Sequence, residues 1–99
     1  MVYKPLYETD SVVLRGDSGR SRVPLHLYEG PDSIIYWSTK PDLVYHPLNV
    51  TLSEFSSEHI DDMLARIIAV ALKETVEPQR AGELNSDLKG QLLSYLGQS

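Results

Sequence analysis

The sequence predicts an α+β fold in which an antiparallel sheet of about four strands is followed by one long and one short C-terminal helix. Residues 1–50 are rich in β-branched and aromatic residues separated by turn-forming clusters, a pattern typical of strands. Residues 51–99 hold one proline, Pro78, and apolar residues spaced three and four apart, which indicates helices. We expect the 99 residues to form a single domain with a β-rich half, 1–50, and a helical half, 51–99.

The first element is predicted to be a β-hairpin. Strands over 11–15 and 22–28 flank Gly-Asp-Ser-Gly at 16–19, a composition that favours tight connections. Pro24 cannot donate a ladder hydrogen bond, so its strand should lie at an edge or contain a bulge. Turns at "EGPDS" and "KPD" then bound the strands "SIIYWST" and "LVYHPL". The four strands form a meander, with a curled, barrel-like sheet as an alternative, and "VYKPLY" is a candidate for one more short strand.

Helix signals begin at Thr51. Thr51 and Glu54 have the spacing of a capping box, and Ser56 or Ser57 is a second candidate cap. The apolar face that follows is expected to continue until Pro78 ends the helix. The segment "PQRAGELNS" is then predicted to be a polar linker, after which Asn85 or Ser86 caps the last helix.

The last helix carries an apolar stripe but is short and contains Gly90, so it is marginal in isolation. It must therefore dock on the rest of the chain or on another copy. We treat the stripe as a candidate oligomer interface, formed by Leu88, Leu92, Leu93 and Leu96.

Composition excludes several classes of protein. With no cysteine, the chain has no disulfide, thiolate nucleophile or cysteine-ligated metal. The longest apolar run, 67–72, is too short to span a bilayer, and the first residues do not resemble a signal peptide. The net charge of −5 argues against nucleic-acid and anionic-membrane partners. We therefore expect a cytoplasmic or intra-virion protein with no membrane partner.

Arg15-Gly16-Asp17 matches the Arg-Gly-Asp tripeptide of adhesion proteins, but the same residues suit a hairpin turn, which is the interpretation we favour. Arg15, Arg20 and Arg22 cluster around this loop. Together with backbone N–H groups they form a candidate site for an anionic ligand or an acidic partner surface. The alternative is that these arginines are solvated beside nearby acidic residues.

Aromatic residues on the predicted strands are candidates for a partner-binding patch. Tyr36 and Trp37 are adjacent, so they face opposite sides of the sheet. If Trp37 shares the outer face with Tyr28 or Tyr45, the sheet presents an aromatic patch beside arginines, as protein-interface hot spots do. The alternative is a second small core under a curled sheet.

No catalytic, metal or cofactor site is predicted. The three histidines lack metal-ligand spacing, and His59, the best candidate beside Glu58, Asp61 and Asp62, is better explained by helix-start electrostatics. No Gly-x-Ser-x-Gly or phosphate-binding loop occurs. An enzyme is therefore the least supported class.

The sequence favours a non-catalytic protein-binding or assembly module that self-associates as a homo-oligomer. Small acidic cysteine-free chains of this kind occur among viral structural components and host-factor inhibitors. The residues expected to bind a partner are Arg15, Arg20, Arg22, Tyr28, Trp37 and Tyr45. One alternative is a protein that binds a nucleotide or phosphate through the arginine hairpin. Another is an acidic inhibitor that mimics nucleic acid through Glu54, Glu58, Asp61 and Asp62.

Overall fold

The computed structural model describes residues 2–39 and 44–96. One antiparallel sheet of four strands has the order β1-β2-β3-β4. The predicted meander is therefore confirmed, and the sheet is open, not closed into a barrel. The strands are β1 (Lys4–Arg15), β2 (Arg20–Glu29), β3 (Ile34–Ser38) and β4 (His46–Thr51).

The predicted hairpin forms, but β1 is longer than expected because it includes the segment proposed as a separate N-terminal strand. The register between β1 and β2 shifts between Thr9 and Val12, where β1 carries one extra residue. Pro24 lies in β2 opposite this bulge. Since β3 pairs with β2 only from His26 onward, the missing N–H of Pro24 leaves no ladder position unfilled. Of the two predicted alternatives, β2 is locally an edge at Pro24, and the bulge lies in the neighbouring strand β1.

The predicted turn at "EGPDS" joins β2 to β3. The Gly30 N–H donates to the Ile34 carbonyl at 2.9 Å, and Ser33 has a left-handed φ of 68°. The predicted "KPD" turn falls at 40–42, outside the described residues. The last strand begins at His46 and runs to Thr51, several residues later than "LVYHPL" suggested.

Three helices follow the sheet: α1 (Ser57–Ala71), α2 (Pro78–Leu84) and α3 (Ser86–Tyr95). The capping box predicted at Thr51 and Glu54 closes a short 3₁₀ turn, where the Thr51 hydroxyl donates to Glu54 Oε1 at 2.8 Å. Ser56 is the cap of α1. No helix within the described ranges 2–39 and 44–96 has the length and apolarity needed to cross a membrane.

The long helix ends at Ala71, not at Pro78 as predicted, and Lys73 adopts a left-handed φ of 53°. The expected polar linker is also wrong, because Pro78 is the first residue of α2. Proline suits this position since the first helical N–H needs no intrahelical partner. Gly82 then allows α2 to approach α1, because a Cβ here would overlap the Asp61 carboxylate.

The helices pack on one face of the sheet and enclose a single hydrophobic cluster. The core spans β1, β2, β3 and all three helices, with Ala81 as the contribution of α2. Its fully buried side chains include Leu14, Leu25, Leu27, Ile35, Trp37, Ile60, Met63, Leu64, Ile67, Ile68 and Leu92.

The apolar stripe of α3 docks on its own chain. Leu92 is 0% exposed and Leu88 is 7% exposed, while Leu93 and Leu96 are half-buried against the same core. In this conformation Leu88 and Leu92 have almost no surface to offer a second copy.

Leu92→Ala should lower the free energy of unfolding by about 2–5 kcal/mol, because it leaves a cavity in the core. Leu93→Ala, one residue on and half-buried, should cost clearly less. Urea unfolding of the two variants beside the parent protein measures both values. Equal losses of unfolding free energy at the two positions would contradict the docking of α3 through Leu92.

Candidate binding surface

The tip of the β1–β2 hairpin holds the carboxylate of Glu74. Glu74 Oε1 accepts the Asp17 N–H at 2.6 Å, and Oε2 accepts the Ser18 hydroxyl at 2.6 Å. The Ser18 N–H adds a longer bond of 3.2 Å to Oε1. The Ser18 hydroxyl, and then the two backbone N–H groups, hold the pKa of Glu74 below its usual value. The backbone donors that the sequence offered to an external anion are thus used by a carboxylate of the same chain.

Two further features fix this contact. Gly16 allows the close approach, since a Cβ at this position would lie 2.6 Å from Glu74 Oε2. Asp17 Oδ1 accepts hydrogen bonds from Arg80 Nε at 3.1 Å and from Nη2 at 2.9 Å. The aspartate of the Arg-Gly-Asp tripeptide is therefore paired with α2, although the pair is about half exposed and contributes little stability.

Asn85 connects the other end of the hairpin turn to the junction of α2 and α3. Its side chain is 4% exposed. Oδ1 accepts the Arg15 N–H at 2.8 Å, and Nδ2 donates to the Arg15 carbonyl at 2.8 Å. Nδ2 also donates to the Ala81 carbonyl at 3.0 Å. The amide side chain thus makes the two bonds that a neighbouring strand would make at the edge of β1.

Arg15, Arg20 and Arg22 lie together on the face of the sheet opposite the helices. Leu14 and Leu25 point into the core, so strand alternation directs the three arginines outward. Arg15 is directly opposite Arg20 across the hairpin, and all three are exposed. The salt bridges found among residues 2–39 and 44–96 involve other cations. The structure therefore brings these predicted residues together as an unpaired basic cluster, the arginine face.

Tyrosines occupy the opposite end of the same sheet face. Tyr28 pairs across the sheet with Tyr36 and is 6% exposed. Tyr3 stacks on Tyr45 with centroids 4.3 Å apart, and Tyr28 meets Tyr45 edge-on at 5.0 Å. Tyr3 also meets Tyr36 edge-on at 5.1 Å. The four rings form a small aromatic cluster, which we call the tyrosine cluster.

One member of this cluster also bonds to the turn before β3. The Tyr36 hydroxyl donates to Asp32 Oδ2 at 2.8 Å. This hydrogen bond raises the pKa of Tyr36 and lowers that of Asp32. The cluster is thereby joined to the β2–β3 turn.

Trp37 lies on the other side of the sheet from the tyrosine cluster. It is 1% exposed in the core and stacks on His46 with centroids 4.2 Å apart. Of the predicted aromatic residues, Tyr28 and Tyr45 therefore share the outer face with the arginines and Trp37 does not.

Several of the acidic residues and histidines near the start of α1 have structural partners. His59 Nδ1 accepts the Ser56 N–H at 3.0 Å, so it caps α1. Asp61 Oδ1 lies 2.7 Å from Lys89 Nζ. The Thr51 hydroxyl and N–H hold the pKa of Glu54 below its usual value. Among residues 2–39 and 44–96, no three metal-ligating side chains are grouped for a metal ion.

Comparisons with protein-family models, curated proteins and solved structures give no match to this chain.

Asn85→Ala should lower the free energy of unfolding by about 3 kcal/mol, because it leaves buried backbone groups without partners. Asn85→Asp should be at least as unstable at neutral pH, since its carboxylate would face the carbonyls of Arg15 and Ala81. The exposed Asn49→Gly is the control, since its left-handed φ of 62° suits glycine. Chemical unfolding gives the three values. An unchanged free energy of unfolding in Asn85→Ala would contradict a stabilising role of the Asn85 hydrogen bonds.

Glu74→Gln should be less stable than the parent protein at neutral pH, and the difference should shrink in acid. A carboxyl whose pKa is lowered on folding stabilises the protein above its usual pKa of 4.5, and this contribution is lost as the pH falls through the folded value. Unfolding measured at several pH values tests this. Glu83→Gln, at an exposed position of α2, controls for the loss of one charge. A difference that does not depend on pH would count against the hairpin contact.

Proposed function

We propose that this chain is a non-catalytic protein-binding module whose arginine face docks on an acidic segment of a protein partner. The observation that carries the proposal is an exposed cluster of three arginines, Arg15, Arg20 and Arg22, in a chain of net charge −5. None of the three has a salt-bridge partner among residues 2–39 and 44–96. Guanidinium groups bind carboxylates in paired, directional hydrogen bonds. An acidic segment is therefore the protein surface that best complements this cluster.

The arrangement of the arginines supports a binding role over simple solvation. Arg15 and Arg20 are directly opposite each other, and like charges at this position destabilise a sheet. An acidic partner would relieve that repulsion. Because the hairpin is anchored from behind by Asn85 and Glu74, its backbone is already ordered, which reduces the entropy lost on binding.

The tyrosine cluster gives the same face a second type of contact. Arginine and tyrosine are both enriched at the energetic centres of protein interfaces. Arg20, Arg22 and Tyr28 occupy alternating positions of β2, so they point to the same side. A partner that contacts the arginines can also contact the half-buried rings of Tyr3, Tyr36 and Tyr45 on the same face, which pack around the buried Tyr28.

The other functions predicted from the sequence receive less support. A small anion would find the Asp17 and Ser18 N–H groups engaged with Glu74. For a nucleic-acid mimic, Asp61 is paired with Lys89 and Glu54 with Thr51. Self-association and a cytoplasmic or intra-virion location stay predictions, and self-association would need a surface other than the core-facing leucines of α3.

A selection from displayed random peptides tests the proposal. We expect the folded protein to enrich peptides rich in Asp and Glu, with binding that weakens as salt is added. Arg20→Glu combined with Arg22→Glu should weaken binding of the selected peptides by about tenfold or more, because the charge of the face is reversed.

Arg66→Glu is the matched control, because it reverses an exposed arginine on α1 and should leave peptide binding nearly unchanged. Inorganic phosphate and ATP form a separate arm of the experiment. Tighter, arginine-dependent binding of either anion than of any peptide would favour the small-ligand alternative. A selection that enriches no acidic peptide would overturn the proposal.

A further inference from the structure

A furrow runs between the outer edge of β1 and α3. Near the hairpin it forms a pocket of about 300 Å³, and towards the end of α3 it continues as an open depression of about 540 Å³. Gln91 lines both parts. The pocket near the hairpin is lined by Ser11, Val12, Val13, Arg15, Leu84, Asn85, Ser86, Asp87, Leu88 and Gln91. The depression is lined by Tyr7, Gly90, Gln91, Ser94 and Tyr95.

The backbone of β1 offers hydrogen-bonding groups to this furrow. β1 is an edge strand, and Asn85 bonds to the outward N–H and carbonyl of Arg15. Val13 is two residues away without an intervening bulge. In an antiparallel strand alternate residues direct these groups to the same side, so the N–H and carbonyl of Val13 also point into the furrow.

The rest of the β1 edge is unsuited to long pairing. Pro5 has no N–H to donate, and the register shifts between Pro5 and Tyr7 and again between Thr9 and Val12. Prolines and bulges of this kind protect sheet edges from association. They disfavour extended β1–β1 pairing between two copies and leave a short stretch around Val13, bordered by α3, that suits one narrow chain.

Gly90 leaves a hollow in the α3 side of the furrow. The packing of the fold does not require a glycine at this position. A glycine within a helix costs about 1 kcal/mol relative to alanine. A Cβ at Gly90 would meet nothing within 4 Å, so no neighbour in the described part of the chain requires a glycine here. The hollow lies beside Tyr95, which is 63% exposed and meets Tyr7 edge-on with ring centroids 5.2 Å apart.

We propose that the furrow binds an extended acidic peptide segment of the partner, which adds to β1 as a short strand beside Val13. This inference rests on the proposed function for the acidic character of the partner. Arg15 lines the furrow and belongs to the arginine face, but Asp87 lines the same pocket. The net positive charge that attracts an acidic segment to this end therefore comes from Arg20 and Arg22 on the neighbouring strand β2.

The two ends of the furrow then recognise different side chains. An acidic residue lies at the Arg15 end, and an apolar or aromatic residue fills the hollow at Gly90 and packs against the outer side of the Tyr7–Tyr95 ring pair. At roughly 3.3 Å per residue, about eight residues span the distance along β1 from Arg15 to Tyr7. Main-chain bonds to Val13 supply affinity, and the two ends supply specificity.

The test measures how a peptide selected from the displayed library binds to the intact 99-residue chain. Gly90→Phe fills the hollow and should weaken binding of this peptide by about tenfold or more. Gly90→Ala is the matched control: it should raise helix stability and change binding little. Ser94→Trp, at an exposed lining position, replaces Gly90→Phe if that variant does not fold.

Amide hydrogen exchange supplies a second measurement. Binding should slow exchange of the Val13 amide, whereas Arg15, already bonded to Asn85, should change less. One outcome is that binding depends on Arg20 and Arg22, but the furrow-filling variants do not weaken it and the Val13 amide is not protected. That result would overturn the furrow as the binding site and leave the proposed function intact. A library that yields no binding peptide would overturn both. Binding that depends on Gly90 but not on these arginines would support the furrow and overturn the acidic specificity.

Discussion

The buried side chain of Asn85 is the contact that organises this molecule. Its amide forms the two strand-like bonds to Arg15 and a third to the Ala81 carbonyl. Neither strand nor helix would otherwise satisfy these groups, and an unsatisfied backbone group in the interior is costly. The junction of α2 and α3 is consequently held against the tip end of β1, which sets where α3 can lie along the sheet.

Glu74 makes a complementary contact from the segment between α1 and α2. It reaches the hairpin only because α1 ends at Ala71 and Lys73 turns the chain. With Asp17 paired to Arg80, the Arg-Gly-Asp turn is an internal connection between the sheet and the helices. Each exposed bond is weak, but together they fix the orientation of a loop that carries the arginines on its outer side.

The two faces of the sheet consequently have different roles. One face, with Leu25, Leu27 and Trp37, forms the core with the helices. No helix of the described ranges covers the other face, which combines charge at the hairpin end with tyrosine rings at the far end. A short chain forms a flat or grooved surface more readily than a deep pocket, and the proposed binding of another polypeptide depends on this sheet face and the adjoining edge furrow.

The sequence by itself determined the strand meander, the hairpin turn at 16–19, the edge position of the strand at Pro24 and the apolar face of α1. These depend on local turn chemistry and on side-chain periodicity, which neighbouring residues specify. It also brought Arg15, Arg20 and Arg22 together, because a hairpin places close in space what is close in sequence. The start of α2 could have been predicted from the sequence, since a proline such as Pro78 is typical of the first turn of a helix as well as of the residues that follow a helix.

Only the tertiary structure decided where α1 ends, which side Trp37 faces and whether the leucines of α3 are core or surface. Alternation separates Tyr36 from Trp37 but does not say which of them meets the helices. Glu74 and Asn85 resembled ordinary helix and cap residues in the sequence, because their partners lie 56 and 70 residues away. Such contacts depend on the packing of sheet against helices, which local propensity does not encode.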